Sequence, residues 1–118
     1  MINKRTVGSF YEREAETYLM DLGYRLVDKN VYSTFGEIDL IVEKEGVLFF
    51  VEVKYRSSTN YGTPKEALNQ KKLLRLERSI HLYLKSYPVK NPKYRLAFLG
   101  ILKVRGALQF DFIENIMA

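Results

Sequence analysis

Gly36-Glu37-Ile38-Asp39-Leu40-Ile41-Val42-Glu43, followed after a short polar interval by Val47-Leu48-Phe49-Phe50-Val51-Glu52-Val53-Lys54-Tyr55, is the stretch on which the reading of this chain turns. Both runs are rich in β-branched and aromatic residues, and Lys44-Glu45-Gly46 between them is turn-like, so together they form a β-hairpin. Side chains alternate along a strand, which puts Ile38, Leu40 and Val42 on one face and Glu37 and Asp39 on the other. On the second run Val47, Phe49, Val51 and Val53 share a face, with Glu52 and Lys54 on the opposite one. Matching the two apolar faces gathers Glu37, Asp39, Glu52 and Lys54 on a common side. A two-residue turn at Glu45-Gly46 sets Asp39 opposite Glu52 and Glu37 opposite Lys54. A four-residue turn makes them diagonal neighbours, and either register keeps the cluster.

Opposed carboxylates with Cβ atoms roughly 5 Å apart repel one another. A divalent cation between them reverses the sign. The plainer alternative is a solvent-facing sheet surface on which a Glu37–Lys54 cross-strand pair offsets the repulsion, and spacing alone leaves both open. Composition narrows the metal chemistry. The chain has no cysteine and only His81, so thiolate and multi-histidine sites are excluded. Any cation has to sit on carboxylates, which suits hard ions such as Mg2+ or Mn2+.

Outward from the hairpin, Tyr11, Ala15, Tyr18, Leu19 and Leu22 recur at three- and four-residue spacing and predict a helix over 8–22, stopped by Gly23. A first strand over 24–32 follows, with Tyr24, Leu26 and Val31 inward. Thr63-Pro64-Lys65-Glu66 has the form of a helix start: a capping Thr63, Pro64 at the first position, and Glu66 closing a capping box. Leu73, Leu76, Ile80, Tyr83, Leu84 and Tyr87 continue as one apolar stripe to Pro88, which predicts a single long helix. Closing strands over 94–104 and 107–116 flank Arg105-Gly106. The order αβββαββ describes an α/β fold, a mixed β-sheet covered by helices, in one domain over 1–118 with its core over about 8–116. At 118 residues there is room for one core.

Charge is divided unevenly. Residues 1–53 carry six Lys/Arg against ten Asp/Glu, while residues 54–105 carry thirteen against two, a net of +11 in a chain whose total is +5. Such a block suits a phosphate backbone, although a solvated basic face with no ligand is the bland reading. No apolar run approaches a membrane span, and Met1 to Val7 lacks a signal-peptide stretch, so a cytoplasmic location with no membrane partner is expected.

The hairpin motifs, together with Gly8-x-x-x-Glu12-x-x-Ala15, Arg56, Tyr61-Gly62-x-Pro64-x-Glu66-Ala67 and Lys72, resemble the YraN-like family of small bacterial proteins. That family is itself similar to archaeal Holliday-junction resolvases and other nucleases of the restriction-endonuclease-like, PD-(D/E)xK type. The resemblance runs from Gly8 to about Glu114. It implies that Asp39 and Glu52 ligate a metal, Mg2+ or Mn2+, and that Lys54 is the catalytic lysine. It further implies that Glu12 completes the site from the first helix and that the Val53 carbonyl is an additional ligand. Glu37 would be a supporting group behind the ligands, or the partner of Lys54. Ile38 stands where the wider class has its naming proline, as is usual among resolvase-like members. Arg95-Leu96-Ala97 lacks an acid found in many relatives, so no role is assigned there.

The implied activity is metal-dependent hydrolysis of DNA phosphodiesters, with branched or structured DNA as the candidate substrate. Arg56, continuing the Glu52–Lys54 alternation, and Lys65, Lys71, Lys72 and Arg75 on the second helix are the expected nucleic-acid contacts, joined by Arg78. Junction-cutting relatives are commonly two-fold dimers, so the resemblance admits a homodimer, although no sequence feature fixes a dimer interface. Tyr55, Tyr61, Tyr83, Tyr87 and Tyr94 could stack on bases, but packing is the commoner use of such residues. A non-catalytic nucleic-acid-binding module of the same fold and a protein-interaction adaptor remain as alternatives.

Overall fold

The computed structural model describes residues 4–60 and 62–116. Helix α1 spans Lys4–Asp21, starting ahead of the predicted Gly8. Gly23, at φ +96°, lets the chain reverse. Of the predicted stripe, Ala15 and Leu19 are fully buried and Tyr11 and Tyr18 pack beside them, whereas Leu22 lies past the helix end and is exposed. Strands β1 (Arg25–Ser33), β2 (Gly36–Lys44) and β3 (Val47–Arg56) follow as a meander. Leu26 packs on one face of the sheet and Val27 and Val31 on the other, and the ladder to β2 shifts register between Leu26 and Asp28.

The single long helix expected after Thr63 is two pieces. A 3-10 turn, Pro64–Ala67, ends at an extended Leu68, and α2 spans Gln70–Lys85. Thr63 makes no side-chain bond to the backbone; its hydroxyl goes to Glu66 Oε1 at 3.1 Å, so the capping box does not close. Asn69 is the true cap, accepting from the Lys72 amide at 2.9 Å. The apolar stripe survives this break because all of it but Tyr87, just past the helix end, falls within α2: Leu76 and Ile80 are buried, and Tyr83, Leu84 and Tyr87 pack around them.

After α2 come β4 (Lys93–Val104) and β5 (Ala107–Ile113), joined at Arg105-Gly106, both in left-handed conformation. The sheet order is β1-β2-β3-β4-β5, antiparallel except for β3 and β4. That parallel pair requires a crossover, and the 64–85 segment supplies it. One face carries α1 over Leu40, Val42, Phe49, Val51, Ala97, Leu99 and Ile101; the other carries α2 over Ile38, Ile41, Leu48, Phe50 and Leu96. This is the expected single α/β domain with a mixed sheet and restriction-endonuclease-like architecture. Among the described residues, no helix is long and apolar enough to cross a membrane.

The crossover is seated by a close approach. Pro64 is buried, and a Cβ built on Gly100 would lie 2.9 Å from Pro64 Cβ and 3.2 Å from a ring carbon of Phe98. Gly100 neighbours Lys54 across the parallel ladder, so this contact positions the 3-10 turn over the strand that bears Lys54. Gly100→Ala is expected to destabilise the fold by about 1–3 kcal/mol through overpacking, measured as a lower midpoint in urea with an unchanged slope.

Candidate metal centre and basic cavity

Glu45 (φ 52°) and Gly46 (φ 79°) make the two-residue turn between β2 and β3. Pairing runs from Lys44↔Val47 to Leu40↔Val51, as that turn requires. There the ladder stops. One step further, where Asp39 would face Glu52, Asp39 Oδ2 instead accepts the Val53 N–H at 2.8 Å. The strict alternation expected of β2 also fails at this point. Ile38 is buried with Ile41 on the α2 side and not with Leu40 and Val42 on the α1 side. Asn30 sits between the pairs Lys29↔Leu40 and Val31↔Ile38 at φ 51°, a left-handed residue inside a strand that marks the local departure from regular pairing.

This distortion brings acids from two elements together. Carboxylate oxygens of Glu12 on α1 and Glu37 and Asp39 on β2 all lie within 4.8 Å of one another. Glu12 is carried there by the burial of Ala15 and Leu19, which press the same side of α1 onto the sheet. With its amide nitrogen turned toward them, Asn30 donates to Glu12 Oε2 at 3.1 Å and Glu37 Oε1 at 3.0 Å. Glu52 stands outside this trio, its carboxylate 3.5 Å from Lys72 Nζ. Among the described residues no ion pair joins Glu37 to Lys54; Glu37 stands instead with Glu12 and Asp39.

The electrostatics follow from that crowding. Burial, then the Glu52 carboxylate, push the Asp39 pKa up to about 8, with Glu37 and Glu12 adding to the rise and the Val53 N–H opposing it. Burial and Glu37 raise Glu12. Burial raises Glu52 too, against the pull of Lys72 and Lys54. Lys54 is lowered by burial and by the neighbouring Lys72 and Arg56. Burial is the main reason these carboxylates resist ionisation, and their mutual repulsion adds to it, an arrangement that a bound cation would relieve.

A cavity of about 230 Å³ opens between the sheet and α2, with Glu37, Asp39 and Glu52 on one wall and Lys72 and Arg75 on the other. Lys71 and Lys65 are exposed nearby in sequence, and Arg56 Nε is buried without a hydrogen-bond partner among the described residues. A larger cavity of about 580 Å³ lies at the far end of α2 beside His81, Lys85 and Tyr94, but no carboxylate lines it.

Residues 11–114 match the family described as "Uncharacterised protein family UPF0102". The chain belongs to the UPF0102 family. A UPF0102 protein of Syntrophomonas wolfei is 37% identical over 111 residues, spanning 94% of this chain and 96% of the relative. UPF0102 protein WS0451 of Wolinella succinogenes is 40% identical over 112 residues, 95% and 96% of the two chains. UPF0102 protein PSHAa2523 of Pseudoalteromonas translucida is 37% identical over 114 residues, 97% and 92%. UPF0102 is structurally related to the PD-(D/E)xK restriction-endonuclease-like superfamily, the relationship expected from the hairpin motifs.

Most of the aromatic residues weighed as base-stacking groups in this UPF0102 chain pack internally. Tyr55 stacks on Tyr11 with centroids 3.5 Å apart, Tyr83 and Tyr94 meet Phe50 edge-on, and Tyr87 leans on Tyr83. Tyr61 falls outside the described residues. Asn30 is the site residue that the sequence reading missed. Its signal was slight: an asparagine inside a strand, where that residue is disfavoured.

Proposed function

We propose that this UPF0102 protein is a divalent-metal-dependent endonuclease that hydrolyses DNA phosphodiesters, with branched or otherwise structured DNA as its preferred substrate. The observation that carries this reading is the convergence of Glu12, Glu37 and Asp39 within 4.8 Å, with Glu37 and Asp39 lining a cavity whose other wall holds Lys72 and Arg75. An all-oxygen donor set of this kind fits Mg2+ or Mn2+. Glu12, Glu37 and Asp39 would hold the ion, joined by the Val53 carbonyl and by Glu52 on release from Lys72. When bound, such an ion supplies charge neutralisation at the phosphate and acidifies a water molecule.

The protein's own groups do the rest. Lys54 contacts a phosphate oxygen or orients the attacking water, and its lowered pKa makes proton release easier than from free lysine. Arg56, Lys65, Lys71, Lys72 and Arg75 hold the strand by its phosphates, so binding weakens steeply with salt. Two symmetrical incisions in a junction need two sites, and a two-fold homodimer supplies them.

Linear duplex, single-stranded and four-way-junction DNA, each incubated with Mn2+ or Mg2+, test this directly. Cleavage is expected to vanish with EDTA and to fall by at least about 100-fold, the scale of a lost transition-state contact, in Asp39→Ala. Cleavage indifferent to both treatments would sink the assignment. A second reading, a DNA-binding module without turnover, is favoured by one observation: the Lys72 ion pair occupies Glu52. Salt-sensitive DNA binding with no cleavage of any substrate by any metal would select it.

A further inference from the structure

Phe35 is a large apolar side chain left 39% exposed in the turn between β1 and β2. It lines the same cavity as Glu37, Asp39, Lys72 and Arg75. The turn that carries it is pinned. Ser33 Oγ donates to the Gly36 carbonyl at 3.1 Å and accepts the Phe35 N–H at 3.1 Å. It also lies 3.1 Å from the hydroxyl of Ser79, a residue of α2 that is only 3% exposed. Next to Ser79, Arg78 sets its guanidinium 6.0 Å from the Phe35 ring centroid. An aromatic ring is thus held at the mouth of the acid cavity, backed by a cation, with its turn tied to the helix that bears Lys72 and Arg75.

We propose that Phe35, backed by Arg78, is a stacking platform for one unpaired nucleobase next to the phosphate that the acid centre engages. The proposal rests on the nuclease reading and narrows it to nucleic acid that offers an unstacked base: a single strand, a flap or a branch point. A base within continuous duplex is already stacked on both faces and has no face left for the ring. An unpaired base has one, and stacking on an aromatic side chain tolerates any base because every base has a π-face. The guanidinium adds to the attraction through cation–π contact with ring or base. Lys72 and Arg75 in the same cavity take the adjoining phosphate, so base and backbone are met together. Because Ser33 and Ser79 already fix the turn, ordering the ring on binding costs little.

The test is binding of the full-length chain, with Ca2+ in place of Mg2+, to a short oligothymidine and to a blunt duplex of equal length. Phe35→Ala is expected to weaken single-strand binding by roughly 5- to 150-fold, the range for loss of one stacked base, and to leave duplex binding within about twofold. Phe35→Trp is expected to retain single-strand binding. Neither substitution reaches the buried core, so thermal unfolding monitors that both variants are folded. Unchanged single-strand affinity in Phe35→Ala, or equal loss on both DNAs, overturns the platform while salt-sensitive binding by the wild-type chain leaves the nuclease reading standing. Failure of the wild-type chain to bind the oligothymidine also overturns the platform, and the nuclease reading is then decided by cleavage of the four-way junction.

Discussion

Asp39→Asn is expected to stabilise the metal-free protein at pH 8 and to remove most of its stabilisation by Mn2+. In the native state Asp39 keeps its proton up to about pH 8, whereas the unfolded chain releases it near the ordinary value of 3.8. Between those limits the native state binds more protons than the unfolded state, so stability falls as pH rises from about 4 to about 8 and is flat for this group on either side. Glu12 and Glu52, also raised, act in the same direction. Each pH unit across the window removes up to about 1.4 kcal/mol per proton, which makes the total several kcal/mol. Asparagine has no charge to bury, and its side-chain oxygen can still accept the Val53 N–H that Asp39 takes at 2.8 Å.

Metal works against that slope. A ligand that binds only the folded state adds about 2.7 kcal/mol at 100 times its dissociation constant, and carboxylates bind it better as they deprotonate. The wild-type chain is therefore expected to gain most from Mn2+ at high pH, and Asp39→Asn to gain little. Thermal unfolding from pH 4 to pH 9, with and without Mn2+, reads both effects. An Mn2+-induced shift of the same size in the two proteins would place the ion elsewhere.

Phe50→Ala has the largest effect expected on the fold itself. Phe50 is fully buried at the centre of β3 and meets Tyr83 and Tyr94 edge-on, each with centroids 5.8 Å away. Removing such a ring costs about 3–5 kcal/mol, a large part of the roughly 5–15 kcal/mol by which a domain of this kind is stable. Tyr83 lies on α2, so the same contact helps fix the helix that brings Lys72 to Glu52. Denaturant unfolding is expected to show the loss directly, and a change below about 1 kcal/mol would mean that α2 is not held in this way.

Much of this was legible in the residues. The 38–42 and 47–53 runs spell a hairpin with a two- or four-residue turn, and the observed register, Leu40 beside Val51, is that of the two-residue turn. Gly23 and Arg105-Gly106 marked real reversals. Asp39, Glu12 and Glu37 each stand out in the sequence, and the folded chain brings them within 4.8 Å of one another. Where the reading went astray, a local rule was carried past its range. Thr63, Pro64 and Glu66 have the composition of a helix start, but Pro64 is drawn down onto Gly100, and Asn69 begins the helix in their place. Alternation placed Ile38 with Leu40, yet it holds only while neighbouring strands stay regularly paired, and the pairing of β2 with β3 ends at Leu40.

What the sequence determined by itself was the set of pieces: strand and helix periods, the hairpin turn, and a separation of acids from bases along the chain. Those depend on residues within a few positions of one another. Only the folded chain decided which acids share a centre, because Glu12 reaches Asp39 through the burial of Ala15 and Leu19. Likewise, Glu52 is drawn toward Lys72 by a helix seated on the far face of the sheet. Contacts between distant elements are set by how the whole core closes, and no spacing along one strand encodes them.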